Sequence, residues 1–347
     1  MEQNKIILNN STNYNLVEDS FKHNHYGWYA CLCKYLYFYY YLHCCPYKVP
    51  AYWNPFFYKY SLHMNDRMIQ ERYYEPPNND MHLVINSNNT KKLSKHFRKT
   101  TDLTNFKGNK VINLNGLANL NISGSSQFSE SSLMLIKQSL GDAMPIIIVD
   151  LRQESHGFIN GIAISWSGNR NKANKGLTKE EVLFDENTRL QSILLNKPLY
   201  IGNKILIPKK VEDEEKLVQS YGMSYMRIPV TDKEKPTNDM VDYFIKFVKS
   251  LPKNTWLHFH CKGGVGRTGT FMVMYDIMKN AKNVSLQNIM NRQVLLGGKN
   301  LLRDELYLMN RSKQRAKLIK RFYIYCVEND DNFKTTWSQW IKLSGIF

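Results

Sequence analysis

The chain is short of cysteine and of acid. Six cysteines, Cys31, Cys33, Cys44, Cys45, Cys261 and Cys326, occur in 347 residues, too few and too unevenly spaced for a disulfide scaffold. Neither the Cys-x-Cys nor the Cys-Cys pair has the spacing of a structural zinc site, so no metal or other cofactor is expected. Acids number 30 against 47 lysines and arginines, a net charge of +17. Such an excess points to an anionic partner: nucleic acid, an anionic membrane face or a phosphorylated molecule. The C-terminal two-thirds lacks the interleaving of aromatic and basic residues that an RNA-binding motif would show, so nucleic acid is not the expected partner. No internal repeat occurs, and at 43% hydrophobic a wholly disordered chain is excluded.

What is present is unevenly distributed. Residues 1–25 are polar and Asn-rich and read as a loose tail. Residues 26–60 hold 16 aromatics, with Lys34, Lys48 and Lys59 but no acid. The stretch 26–46 is long enough to enter a bilayer, yet Lys34 interrupts it and Tyr favours the membrane interface over its centre. Two readings stay open: a buried aromatic subdomain or loose leader, and a membrane-associated anchor. Localisation, secreted, envelope or cytoplasmic, is open with them. Pro-Pro-Asn-Asn at 76–79 and the basic run KKLSKHFRK at 91–99 read as a linker.

Beyond it the pattern is α/β. MPIIIVD (144–150), MSYMRIPV (223–230) and WLHFH (256–260) read as buried strands. Residues 211–222, 237–252 and 268–280 read as helices, and the C-terminal quarter as largely helical. Residues 151–210 break into short β-prone pieces between Gly, Asn and Lys turns. The expected organisation is a leader (1–90), the start of an α/β core (91–150), a small β-rich insertion (151–210) and the rest of the core (211–347).

The chemistry gathers at Cys261-Lys262-Gly263-Gly264-Val265-Gly266-Arg267-Thr268, between the strand WLHFH and a helix. Three glycines let the chain curl so that successive N–H groups face inward as an anion nest. The helix start adds its own unpaired N–H groups. A thiol at such a cradle ionises below its free value of about 8.5. Arg267 can fork two donors onto phosphate oxygens, which Lys cannot do. This is the Cys-x5-Arg-Ser/Thr signature of cysteine phosphatases. The loop starts with Cys, unlike a dinucleotide-binding turn, and no G-x4-G-K-[ST] occurs anywhere.

Such a nucleophile needs a proton donor for the leaving oxygen, worth about 10²–10⁴ in rate. Asp232, after the strand MRIPV and 29 residues before Cys261, is the expected donor; Glu234 competes with it. Thr268 is expected to donate to the expelled thiolate, and His260 to set loop geometry.

HCKGGVGRTGTFMVMYDIMKN (260–280) and VDLRQESHGFINGIAISWSGNRNKANKG (149–176), with ISGSSQFS (122–129), LPKNTWLHFHC (251–261) and TTWSQWIK (335–342), resemble the protein-tyrosine-phosphatase-like phytases. These are cysteine phosphatases of myo-inositol polyphosphates. The resemblance spans roughly 95–347. It implies a phosphatase core, a central mostly parallel sheet flanked by helices, bearing a small partial β-barrel domain. It also implies stepwise monoester hydrolysis without metal, with Cys261, Asp232 and Arg267 as nucleophile, general acid and phosphate-binding arginine. Two departures stand out. Lys233 follows the acid where the family often has His, and the Lys and Tyr spacing of the family's C-terminal helix is not kept.

In that helix Leu308, Ser312, Ile319, Phe322 and Cys326 follow core spacing. Arg315 falls within the inward arc and Arg311 on its edge, so both become candidates for outer phosphates or for pairing with a structural carboxylate. Lys262, Gly263, Gly264, Val265, Gly266 and Lys233 complete the expected substrate contacts. Asp150 and His156 join them because they lie near the C-terminal end of a core strand, with pairing of Arg152 to Glu154 or Asp150 as the structural alternative. The expected partner is thus an inositol polyphosphate or another phosphate monoester. The alternatives are a phosphoinositide or dual-specificity protein phosphatase, since HCKGG resembles lipid-acting relatives, and, less favoured, a non-catalytic anion binder.

Overall fold

The computed structural model describes residues 81–106, 112–168, 173–302 and 310–345. The aromatic block at 26–60, the Pro-Pro-Asn-Asn at 76–79 and Leu308 lie outside the described residues.

The site-bearing layer is a five-stranded sheet in the order β10-β4-β11-β3-β2. Its strands are β2 (Arg98–Lys99), β3 (Ile122–Ser126), β4 (Ile146–Arg152), β10 (Ser224–Val230) and β11 (Trp256–Cys261). β10, β4, β11 and β3 run parallel, and β2 closes one edge antiparallel. The four parallel strands therefore end on one edge, at Val230, Arg152, Cys261 and Ser126. That is where open α/β sheets build sites. The three strands expected from their apolar runs form as read. β11 is central and buried along its whole length, which its run WLHFH demands.

β3 has no such signal. Its sequence, ISGSS, is small and polar, and it is wholly buried because helix α5 (Gly266–Asn280) lies directly on it. A Cβ on Gly124 would stand 2.6 Å from Met272 Sδ and 2.7 Å from Thr268 Cγ2. Glycine here sets the close approach of helix to strand.

Helices cover both faces. On one side α4 (Asn238–Ser250) contributes Val241, Phe244, Ile245 and Val248 at i, i+3, i+4, i+7 spacing. It packs with α5, α6 (Leu286–Leu295), α7 (Asn310–Glu328) and α8 (Trp337–Leu343) into the main core. α5 is buried from Arg267 to Ile277, a helix sheathed on all sides. Ile319, Phe322 and Cys326 of α7 are buried as expected, and Ser312 is only partly covered. On the other face α1 (Glu130–Leu140), capped by Ser129, and α3 (Glu214–Ser220), capped by Asp213, enclose a second cluster with Ile146, Ile148 and Phe158.

Two expectations need correction. Residues 151–210 are not solely β-rich. They carry β5 (His156–Ile159), β6 (Ile162–Ser167), β7 (Leu199–Ile201) and β8 (Lys204–Leu206), but also the thirteen-residue helix α2 (Lys179–Gln191). α2 starts on a full capping box, Thr178 with Glu181, a signal legible in T-K-E-E. The four-stranded antiparallel sheet of this region, β1-β6-β5-β9, also recruits β1 (His82–Ser87) and β9 (Val211–Glu212) from beyond the expected bounds. The run 91–99 is no simple linker either: Ser94 and Arg98 are buried and Arg98 opens β2.

Candidate active site

Cys261 is the last residue of β11 and Gly266 the first of α5, so residues 262–265 must turn the chain between them. The turn closes under the sulfur: the Gly264 N–H and the Thr268 hydroxyl each donate to Cys261 Sγ at 3.2 Å. Gly264 has φ +71°, and a Cβ on it would lie 2.3 Å from Ser126 N and 2.6 Å from Ser125 C. Only glycine fits. A Cβ on Gly263, by contrast, meets nothing within 4 Å, so that side of the loop is open.

Burial pushes the Cys261 thiol up, but the Arg267 guanidinium and the hydrogen bonds from Thr268 and Gly264 outweigh it and hold the thiol below its ordinary range. Arg267 is itself buried and clamped: Nη1 and Nη2 donate to Glu154 Oε2 and Oε1 at 2.7 and 3.0 Å, and Nη1 also donates to Val230 O at 2.9 Å. The fork-to-fork geometry fixes the plane of the guanidinium. Burial would lower Arg267, yet Glu154 and the sulfur keep it well above its ordinary value.

Asp232 stands on the loop after β10 with Oδ1 3.1 Å from Arg267 Nη2 and its side chain 23% exposed. Glu234 points elsewhere, its carboxylate bound to Lys175 at 2.8 Å. Of the two candidate acids, only Asp232 is tied to the arginine of the loop. Lys233 between them is exposed at φ +64°.

The chain as a whole is similar to known proteins. A PTP-like phytase from Bdellovibrio bacteriovorus is 31% identical, with a TM-score of 0.65 over 76% of this chain and 95% of its own. The family model PTPlike_phytase, described as "Inositol hexakisphosphate", matches residues 149–279. The chain belongs to the protein-tyrosine-phosphatase-like phytases. Among its other phytase relatives is the PTP-like myo-inositol phosphatase from Mitsuokella multacida, solved in complex with myo-inositol-(1,3,4,5)-tetrakisphosphate: 35% identity, TM-score 0.70, 82% of this chain and 54% of that one. The effector protein hopD2 of Pseudomonas syringae pv. tomato is 29% identical over 263 residues, 70% of this chain and 56% of its own. The chain thus spans about half the length of these last two relatives.

Around the Cys261 loop the remaining expected residues divide into two groups. Lys262 is half-buried; burial and Arg152 lower its pKa, while Glu154 and Asp232 raise it. Arg315 reaches across from α7, its guanidinium 3.4–3.6 Å from where a Gly266 Cβ would be, and donates to Glu234 O at 3.2 Å. Burial lowers it while the Cys261 sulfur pulls it up. Arg311, one turn earlier, is partly exposed, and no hydrogen bond or ion pair ties it to the loop among the described residues.

Asp150 and His156 are corrected: both are completely buried behind the loop instead of lining it. Asp150 Oδ2 accepts from Arg227 Nη1 at 2.6 Å and Tyr225 OH at 2.7 Å, and lies 3.1 Å from His156 Nε2. Burial and Arg152 push His156 down, but Asp150 and Glu186 hold it well above its ordinary value. His260 is likewise buried, 2.6 Å from Glu214. Asp150, Glu214 and His260 offer donor atoms within 4.8 Å of one another, but Arg227 and His156 already supply their counter-charge, so the donor set does not fit a cation. Arg152 pairs with Glu154 at 3.0 Å, the structural alternative foreseen from sequence.

Two residues were not assigned from sequence. Glu154 orients Arg267. Arg98 anchors the loop from beneath, donating from Nη1 to Gly264 O and His96 O at 2.9 Å each. Burial draws Arg98 down to about 10 while the Cys261 sulfur draws it up. No local signal marks an arginine in KKLSKHFRK as a core residue, since its partner lies 166 positions away.

Proposed function

We propose that the chain is a cysteine-dependent phosphatase that hydrolyses phosphate monoesters of myo-inositol polyphosphates through a phosphocysteine intermediate. The observation that carries this reading is the sulfur held by two donors beside an arginine already fixed in plane by Glu154. Phosphate oxygens take the place prepared for them: the loop N–H groups on one side, Arg267 on the other, whose Nε has no partner among the described residues. A bound phosphate competes with Asp232 for the fixed Arg267 and frees that carboxyl to face the leaving oxygen.

Cys261 attacks phosphorus in line, the P–O bond to the inositol carbon's oxygen breaks, and Asp232 gives that oxygen its proton. Water then attacks the phosphocysteine while Asp232 takes its proton, and the thiolate leaves toward the Thr268 hydroxyl. Fixed donors aimed at the equatorial oxygens supply the largest share of such catalysis. Family membership supports the substrate class, and Lys262, Lys233 and Arg315 are the cations that would gather phosphates beyond the one being cleaved. Lys233 extends outward from its turn, and Arg315 leans over Gly266.

Phosphate release from phytate, a soluble phosphoinositide and a phosphotyrosine peptide, measured on the purified chain in reducing buffer, tests the proposal. Release from phytate should dominate, survive chelator, and vanish on thiol alkylation and in Cys261→Ser. Turnover of the peptide with phytate left intact would overturn the substrate class. Turnover persisting in Cys261→Ser would overturn the mechanism.

A further inference from the structure

The hairpin β7–β8 turns apolar side chains to solvent. Across it Leu199 pairs with Leu206, Tyr200 with Ile205 and Ile201 with Lys204. Alternation sends Leu199, Ile201 and Leu206 inward, onto a cluster with Ile159, Ile164 and Leu190. The outer face carries Tyr200, 71% exposed, opposite Ile205, 62% exposed, with Ile207 half-exposed two residues on. Leu194, 69% exposed, and Leu195 precede them in the loop leading into the hairpin. The solvated face of an antiparallel pair is ordinarily polar. Single exposed apolar residues are common, but five along one short segment mark a contact surface.

Charge identifies the kind of partner. Residues 193–210 hold Lys197, Lys204, Lys209 and Lys210 and no acid. Lys210 pairs with Glu212 at 2.7 Å and Lys204 donates to Asn88 at 3.0 Å. Lys197 and Lys209 are exposed, with no acidic partner among the described residues. A second copy seated on the same patch would set these lysines against their own kind, because a two-fold interface is self-complementary. An anionic bilayer suits both features at once: apolar side chains enter the acyl boundary, Tyr sits at its interface, and lysines meet the headgroups.

We propose that the β7–β8 hairpin and its leading loop dock on anionic membrane, inserting Leu194, Leu195, Tyr200, Ile205 and Ile207. The inference does not rest on the phosphatase reading. Its test is co-sedimentation of the full chain with phosphatidylcholine vesicles, with and without phosphatidylserine. That lipid carries no phosphate monoester, so the Cys261 loop is not probed.

The chain should bind vesicles only when phosphatidylserine is present, and added salt should weaken binding. Tyr200→Ser with Ile205→Ser should lower partitioning about ten-fold or more. Lys197→Glu with Lys209→Glu should lower it by roughly five-fold per lysine removed. Thermal unfolding and phosphate release from soluble substrate should stay unchanged in both variants. Three results would overturn the proposal: no binding, binding undiminished in both variants, or a Tyr200-dependent dimer in sedimentation without vesicle binding. Undiminished binding would move the membrane contact to another part of the chain, residues 26–60 included.

Discussion

At Cys261 the sulfur's charge is a contest between burial, which favours the thiol, and three polar neighbours, which favour the thiolate; the neighbours win. Asp232 and Glu234 show the same sensitivity to placement. They are two residues apart, yet one contacts Arg267 at 3.1 Å and the other is bound to Lys175. If Asp232 is the proton donor, Asp232→Asn should cut kcat on phytate by about 10²–10⁴ while leaving substrate affinity near wild type. Glu234→Gln should leave kcat nearly unchanged, because its carboxylate is turned away. Steady-state kinetics on the two variants decides this, and equal losses would remove the assignment. The loss for Asp232→Asn should shrink with a substrate whose leaving group is a weak base and needs no proton.

At the scale of elements, the Cys loop is a strand–turn–helix unit whose shape is set by what it touches. Gly264 lies on the backbone of β3, and Arg98 of β2 holds its carbonyl. Gly264→Ala must therefore move either the loop or β3 and abandon a left-handed backbone conformation. It is expected to destabilise the fold by about 1–3 kcal/mol and to abolish turnover. Gly263→Ala has room for its methyl and a backbone that needs no glycine, so stability should change by about 0.5 kcal/mol or less. Any effect of that variant belongs to substrate binding and should show as a raised KM. Denaturant melts and kinetics on the two alanine variants separate these cases. The elements themselves were unevenly legible. β4, β10 and β11 announce themselves as apolar runs, and α4 by its helical stripe. β3 could not, because ISGSS is a strand only by virtue of pairing on both sides and the helix pressed onto Gly124.

Across the whole molecule, the buried charges behind the loop tie stability to pH. His258 lies between Ser123 and Ser125, at 2.8 and 3.1 Å; burial, with His260 and Arg98 adding to it, draws it down to about 3 from 6.5. Below pH 6.5 the unfolded chain takes up that proton and the folded one does not, so stability falls as pH falls from 6.5 toward 3. Burial pushes Glu214 up, but His260 and the hydrogen bonds from both histidines bring it down to about 2 from 4.5. Its contribution is whole above 4.5 and is lost as pH drops toward 2. His156 acts in the opposite sense. Held well above 6.5, it contributes fully below 6.5 and its contribution is lost as pH climbs through its folded value. The three together place maximal stability near pH 6.5, with a slope of about 1.4 kcal/mol per pH unit for each proton taken up, steepening below 4.5. Thermal unfolding followed from pH 3 to 9 checks this; a midpoint flat between pH 4.5 and 6.5 would contradict the burial of a neutral His258.

The sequence by itself determined the Cys261 loop, because a nest of amides needs glycines and sets the sulfur and the arginine at fixed separations along one stretch of chain. It also determined β4, β10 and β11, whose apolar runs call for burial, but not β3. Only the tertiary structure decided that Glu154 clamps Arg267, that Arg98 underpins Gly264, and that Asp150 and His156 are interior counter-charges instead of substrate contacts. Those roles depend on pairs 77 or more positions apart for Asp150 and Arg227, Arg267 and Glu154, and Arg98 and Gly264. A charged residue read alone does not reveal whether its partner is a ligand or another side chain: both satisfy the same Coulomb requirement, and only the packing of distant strands supplies one or the other.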